Sequence, residues 1–242
     1  MNIREPGWRG RIGVIQPAPG LMLEYEWARL LPEGVAAPFT RVPLKGGTPR
    51  DYLDMADASP DAAATLVNAG AGVIAYACGV GSMIEGPAPE NRLMQRLAAA
   101  ADGRTVLGMG QAAVAAMRHL GARQVAVLTP YSDAINQRVA DYLKACDLEV
   151  TGICKLPVAD AIAAAGLQPA ETIASALAAL QQLPQADLLW STCSNVRTEG
   201  VIATVEHASG RVMVSSNQAL LWRCLSMLGV HANDAYGGRL AS

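Results

Sequence analysis

The strongest constraint on this chain is that it contains the same run of elements twice. RIGVIQP at 11–17 resembles RQVAVLTP at 123–130, and AGVIAYAC at 71–78 resembles ADLLWSTC at 186–193. RTVLGMGQA at 104–112 likewise resembles RVMVSSNQA at 211–219. The spacing repeats too, since Pro17 precedes Cys78 by 61 positions and Pro130 precedes Cys193 by 63. A repeated order constrains a fold more than any single apolar run does. Each half reads strand, helix, strand, helix, strand ending in Cys, helix, strand, helix.

Alternation of this kind implies an α/β fold of two pseudo-symmetric, doubly wound domains with mostly parallel sheets. The expected halves are 1–115 together with the C-terminal 217–242, and 116–216. Short apolar runs such as Val73–Tyr76 and Leu188–Trp190 lack clean alternation, as strands covered on both faces do. Asp133–Cys146 has helical period, with Ile135, Val139, Tyr142 and Leu143 on one face and Asn136, Gln137, Arg138 and Asp141 on the other. Thr48 and Pro49 can open one long helix, Pro49–Asn68, with Asp51 and Asp54 near its positive end.

Composition narrows the function. The chain has 242 residues, is 51% hydrophobic but 5% aromatic and 17% charged, and carries a net charge of −2. Without clustered Lys and Arg it lacks the electrostatic footprint of a nucleic-acid binder. Ala62–Ile84 has no charge, but Thr65, Asn68 and Ser82 make it read as a helix end, a turn and a strand, not a membrane span. The N-terminal MNIREPGWRGRIGVIQP has no apolar stretch of signal-peptide length, so a cytoplasmic protein is expected. Five cysteines without such a signal do not suggest a disulfide framework, and no CxxC or Cys/His cluster suggests zinc. Cys146, Cys154 and Cys224 read as small buried hydrophobes.

Cys78 and Cys193 differ because each closes a buried strand, and ligands of such sheets sit beyond the carboxyl ends of strands. Two halves facing one cleft would bring the thiols to a ligand from opposite sides, the cleft between the domains being the active site. Gly79-Val80-Gly81-Ser82 and Ser194-Asn195 follow the two cysteines, supplying backbone N–H, hydroxyl and amide donors that suit a carboxylate. A thiol and a thiolate together provide an acid and a base or nucleophile without a cofactor. Tyr131, just past its strand, can reach the same cleft. Pro17-Ala18-Pro19-Gly20 is its counterpart and offers N–H groups from Ala18 and Gly20 only. Ser215–Gln218 read as loop-fixing groups, Arg197 and Glu85 as ion-paired rim residues, and Trp27, Trp190 and Trp222 as core or interface. The Gly79–Pro89 stretch reads as a lid loop.

The pattern Tyr76-Ala-Cys78 with Gly81-Ser82, Leu128-Thr-Pro-Tyr131, Ser191-Thr-Cys193-Ser-Asn-Val-Arg197-Thr198 and Ser215-Ser-Asn-Gln-Ala219-Leu-Leu-Trp222 resembles the aspartate/glutamate racemase superfamily. Within it, the similarity is nearest to maleate cis-trans isomerases, racemase-type ectoine-utilisation proteins and arylmalonate decarboxylases, from about Ile12 to Gly229. The resemblance implies two pseudo-symmetric domains, no cofactor, frequent homodimers or higher homo-oligomers, and a small carboxylate substrate. It implies Cys78 as nucleophile or first base, Cys193 as acid or second base, and Tyr131 as a carboxylate-binding residue; with the reading of the strand-end loops, the expected substrate-binding residues are Pro17, Ala18, Gly79, Val80, Ser82, Tyr131, Ser194 and Asn195. Arylmalonate decarboxylases lack the first cysteine, so Cys78 argues against that chemistry. Unlike the maleate isomerases, this chain has no Asn in its first strand-end loop and has Gly79, not a hydroxyl residue, after Cys78.

The expected activity is a cofactor-independent isomerase of a small carboxylate, maleate cis-trans isomerase-like. The alternatives are an amino-acid or hydantoin-type racemase using two-base proton transfer, or an arylmalonate decarboxylase-like enzyme. The non-enzymatic alternative is a two-lobed small-molecule binding protein; binding alone needs no thiol, which weighs against it.

Overall fold

The computed structural model describes residues 5–231 and 236–240. The remaining positions of the expected first half, 1–4, 232–235 and 241–242, lie outside the described residues. Two parallel sheets form the frame. The first contains β1 (Gly10–Pro17), β2 (Val35–Ala36), β3 (Phe39–Val42), β4 (Val73–Tyr76) and β5 (Thr105–Gly108). The second contains β6 (Gln124–Thr129), β7 (Glu149–Lys155), β8 (Leu188–Ser191) and β9 (Val212–Ser215). Every pairing is parallel, with β3-β1-β4-β5 in one sheet and β7-β6-β8-β9 in the other; β2 pairs the start of β1 beside β3. The chain order therefore reverses at β1/β4 and at β6/β8, where crevices open in doubly wound sheets. All residues of β4 and β8 are buried, because helices cover both sheet faces.

In the first half the helices are α1 (Met22–Leu30), α2 (Pro49–Asp57), α3 (Ser59–Asn68), α4 (Gly79–Met83), α5 (Pro87–Ala100) and α6 (Met109–His119). The second half adds α7 (Asp133–Ala145), α8 (Pro169–Gln182) and α9 (Val201–Ser209), and the chain ends its helices with α10 (Ser216–Met227), in the C-terminal segment assigned to the first half. Among the described residues no helix is long and apolar enough to cross a membrane. The halves interlock through their last helices: α10 follows β9 yet packs on α6, β4 and β5, and α6 in turn touches β9.

Three local expectations change. Pro49–Asn68 is two helices, because Pro60 has no N–H to continue the ladder. The orphaned Ala56 carbonyl accepts from Arg96 instead, and Ser59 Oγ donates to the Met55 carbonyl. Thr48 and Asp51 cap α2 reciprocally. Asn136 is buried rather than on the wet face of α7: its amide donates to the Tyr131 carbonyl and its Oδ1 accepts from Thr129 Oγ1. Gly79–Pro89 is not a lid loop, since Gly79–Met83 are all buried within α4.

Candidate active site

Cys78 and Cys193 lie two residues beyond their strands, not at the last strand position. At each site one more residue stays bonded to the neighbouring strand, Ala77 N–H to the Ile15 carbonyl and Thr192 N–H to the Leu128 carbonyl, before the cysteine. Both are buried and both line one cavity of about 390 Å³. Cys78 is the N-cap of α4, and its Sγ accepts from Gly81 N–H at 3.3 Å. Cys193 takes φ +82°, a left-handed conformation that β-carbon-bearing residues adopt at a cost. This turn brings Asn195 N–H to its sulfur at 3.4 Å, with the Val196 amide and the Tyr131 hydroxyl also placed to donate.

Burial pushes both thiols up. Cys78 is raised to about 12, with only Gly81 N–H opposing, and the neighbouring Cys193 adds to the rise. Cys193 is also raised by burial, but three donors oppose it.

Of the other sequence-derived candidates, Pro17, Gly79, Val80, Tyr131, Ser194 and Asn195 line the same cavity. Gly79 and Val80 open α4, and their N–H groups find no acceptor among the described residues. Ala18 is a correction: it is exposed, off the cavity, and its N–H donates to the Val42 carbonyl. The Gly20 amide is likewise spent on Pro17. Ser82 is a second correction, because it lies within α4 but off the cavity, donating to the Gly79 carbonyl and accepting from Gly110 N–H. Asn195 reaches the wall, but its side chain is committed to structure. Its Oδ1 accepts from Leu21 and Met22 N–H, and its amide donates to the Ala161 and Ile162 carbonyls.

Around these, Arg197 pairs with Glu199 over the Tyr25 ring as a rim residue, whereas Glu85 has no ion pair among the described residues. Ser215–Gln218 fix loops through hydrogen bonds to Thr198, Glu26, Ser194 and Gly237. Trp27 and Trp190 are core, and Trp222 is half-buried against His119. Cys146 and Cys224 are buried and Cys154 is half-buried.

Several wall residues were not anticipated. Leu44, Gly46 and Gly47 follow β3, Tyr52 lies on α2, Lys155 ends β7, and Leu156 and residues 158–162 follow it. β3 and β7 are the equivalent second strands of the two halves, so the repeat itself carried a signal for both loops. The walls are mainly apolar (Leu44, Tyr52, Val80, Ile135, Leu156, Val158 and Ile162), and the charged lining residues are Lys155 and Asp160. Lys155 pairs with Asp133 at 2.6 Å.

Comparison with known proteins places this geometry. A curated arylmalonate decarboxylase of Bordetella bronchiseptica is 29% identical over 230 residues, covering 93% of this chain and 94% of that protein. The maleate isomerase of Pseudomonas putida S16, solved as a Cys-to-Ala variant with maleate, superposes with a TM-score of 0.88 at 25% identity, covering 96% and 97% of the two chains. A Cys-to-Ser variant of the Nocardia farcinica maleate cis-trans isomerase, holding a covalent succinylcysteine intermediate, gives 0.85 at 26% identity and covers 96% and 98%. The family match, to arylmalonate decarboxylase, runs over residues 12–241. With two parallel α/β halves and nearly the whole chain matched, this protein belongs to the arylmalonate decarboxylase family, in the aspartate/glutamate racemase-like group that its motifs resemble.

Proposed function

We propose that the protein is a cofactor-independent isomerase of a small carboxylate, with Cys78 and Cys193 as its reacting groups. The observation that carries this reading is one cavity lined by two buried thiols from corresponding strand ends of the two halves. The relative that holds a succinylcysteine supports addition chemistry at a cysteine.

In the maleate isomerase-like form, the Cys78 thiolate adds to one alkene carbon while the Cys193 thiol gives its proton to the other. The bond between those carbons is then single and rotates. Return of the proton to Cys193 and departure of the Cys78 thiolate restore the alkene in the trans form. Donors from Asn195, Val196 and Tyr131 hold the Cys193 sulfur as the thiolate left when it gives its proton. The free N–H groups of Gly79 and Val80 are suited to the substrate carboxylate.

A second reading, racemisation by two-base proton transfer, is favoured by the apolar walls. Leu44, Val80, Leu156 and Ile162 suit an apolar substituent better than a second carboxylate. In that case one thiolate takes the α-proton and the other thiol returns a proton to the opposite face.

NMR in deuterium oxide separates these readings. The panel is maleate, single enantiomers of apolar 2-substituted carboxylates, and a disubstituted malonate. Loss of maleate to fumarate supports addition; α-deuteration with inversion supports two-base racemisation; carbon dioxide release from the malonate would favour decarboxylation instead. Cys78→Ser and Cys193→Ser should each lower turnover by roughly 10²–10⁴-fold, the usual contribution of one acid–base group. Full activity in both variants would overturn the site assignment.

A further inference from the structure

One buried carboxylate lies outside the lining of the active-site cavity. Glu26 lies on α1 of the first half and is 0% exposed. Its Oε1 accepts from Thr198 N–H at 2.6 Å and Glu199 N–H at 2.8 Å. Its Oε2 accepts from Asn217 Nδ2 at 2.7 Å and Tyr236 Oη at 3.0 Å. An uncompensated buried carboxylate is costly, and here four donors meet it without a cationic side chain bonded to it. A neutral amide of the same shape cannot accept on both ends. The site calls for an acceptor-only group.

Three of the four donors lead to one place. Thr198 and Glu199 end the loop that begins at Cys193. Asn217 also donates to the Ser194 carbonyl, next to the thiol. One turn earlier on α1, the Leu21 and Met22 amides hold Asn195. α1 thus grips the loop at 195, 198 and 199, on both sides of Val196, and reaches 194 through Asn217 of α10. Cys193 keeps its left-handed φ of +82° within that grip, and such backbone persists only where surroundings over-determine it.

We propose that Glu26 is the positioning residue of the second thiol, holding the Cys193 loop in the turn that aims its backbone N–H groups at the Cys193 sulfur. This rests on Cys193 being a reacting thiol, but its test does not use turnover.

In the full-length protein, iodoacetamide labelling resolved by mass spectrometry gives the pH profile of alkylation at Cys193 and at Cys78 separately. Glu26→Gln should move the Cys193 profile upward by on the order of one pH unit, about tenfold in rate at neutral pH, and leave the Cys78 profile in place. Glu26→Asp, which retains a carboxylate, should fall between. If Glu26→Gln does not fold, Asn217→Ala removes the bonds to Ser194 and to Glu26 Oε2, leaves the carboxylate its other donors, and should shift the same profile in the same direction. An unchanged Cys193 profile, or equal changes at both thiols tracking lost stability, overturns the proposal. Because no substrate is involved, it can fail while Cys193→Ser still abolishes turnover, and the converse.

Discussion

Replacing Glu90 by Gln should remove a pH dependence of stability that the native chain carries. Glu90 is on α5, 1% exposed, and spans the two halves. It accepts from Gln111 N–H at 3.1 Å and from the Tyr142 hydroxyl of α7. Burial pushes its carboxyl up from 4.5 to about 7, more than the hydrogen bonds from Tyr142 and Gln111 pull it down. Between those values the folded state keeps a proton that the unfolded chain has released. Stability from this group is therefore fully present below the unfolded value and is lost as pH rises through the folded one. A gap of about 2.5 units corresponds to about 3 kcal/mol. Gln is nearly isosteric and can be satisfied, its carbonyl accepting from Gln111 and its amide donating to Tyr142 oxygen. Urea unfolding of both proteins from about pH 5 to about pH 8 would measure the difference. The native protein should lose up to about 3 kcal/mol relative to Glu90→Gln across that range, with the slope concentrated below about pH 7. Parallel curves, or a native protein that gains on Glu90→Gln as pH rises, would refute the claim that burial dominates at this carboxyl.

Two other changes test the thiol environments. A Cβ on Gly81 would lie 2.7 Å from Tyr76 Oη and 3.0 Å from Cys78 Sγ, all in buried surroundings. Gly81→Ala should therefore displace the sulfur and cut turnover at least about tenfold, as small misplacements of reacting groups do, with Cys193 labelling retained. Tyr131→Phe takes away a hydroxyl placed to donate to Cys193; the Cys193 alkylation profile should rise while Cys78 labelling and the melting temperature stay close to native.

Much of the frame was legible in order and period. The strands ending near Pro17, Cys78, Thr129 and Cys193 follow from apolar runs bounded by turn residues, and their duplication implies two sheets with matching strand order. The apolar face of α7 emerged as its period required, with Ile135, Val139, Tyr142 and Leu143 all buried. Asn136 did not follow the pattern, because its partners Thr129 and Tyr131 come from the preceding strand end. Pro60 marked a break within the sequence itself, and the long-helix expectation passed over it. The lid expectation failed because five small or apolar residues after Cys78 are equally a loop or a buried helix until α2, α6 and α7 pack on them.

Glu26 and Glu90 show the limit most clearly. Each lies in a helix, where a carboxylate ordinarily faces water, and each is buried by partners that sequence proximity does not reveal: Thr198 is 172 positions from Glu26 and Tyr142 is 52 from Glu90. Local sequence determined the elements, their duplicated order and the two cysteines at strand ends, because periodicity and turn chemistry are short-range. The tertiary structure decided which donors reach each sulfur, that Ala18 and Ser82 face away from the cavity, and which carboxylates go inside. Those outcomes depend on where the two halves meet, and chain spacing does not encode that distance.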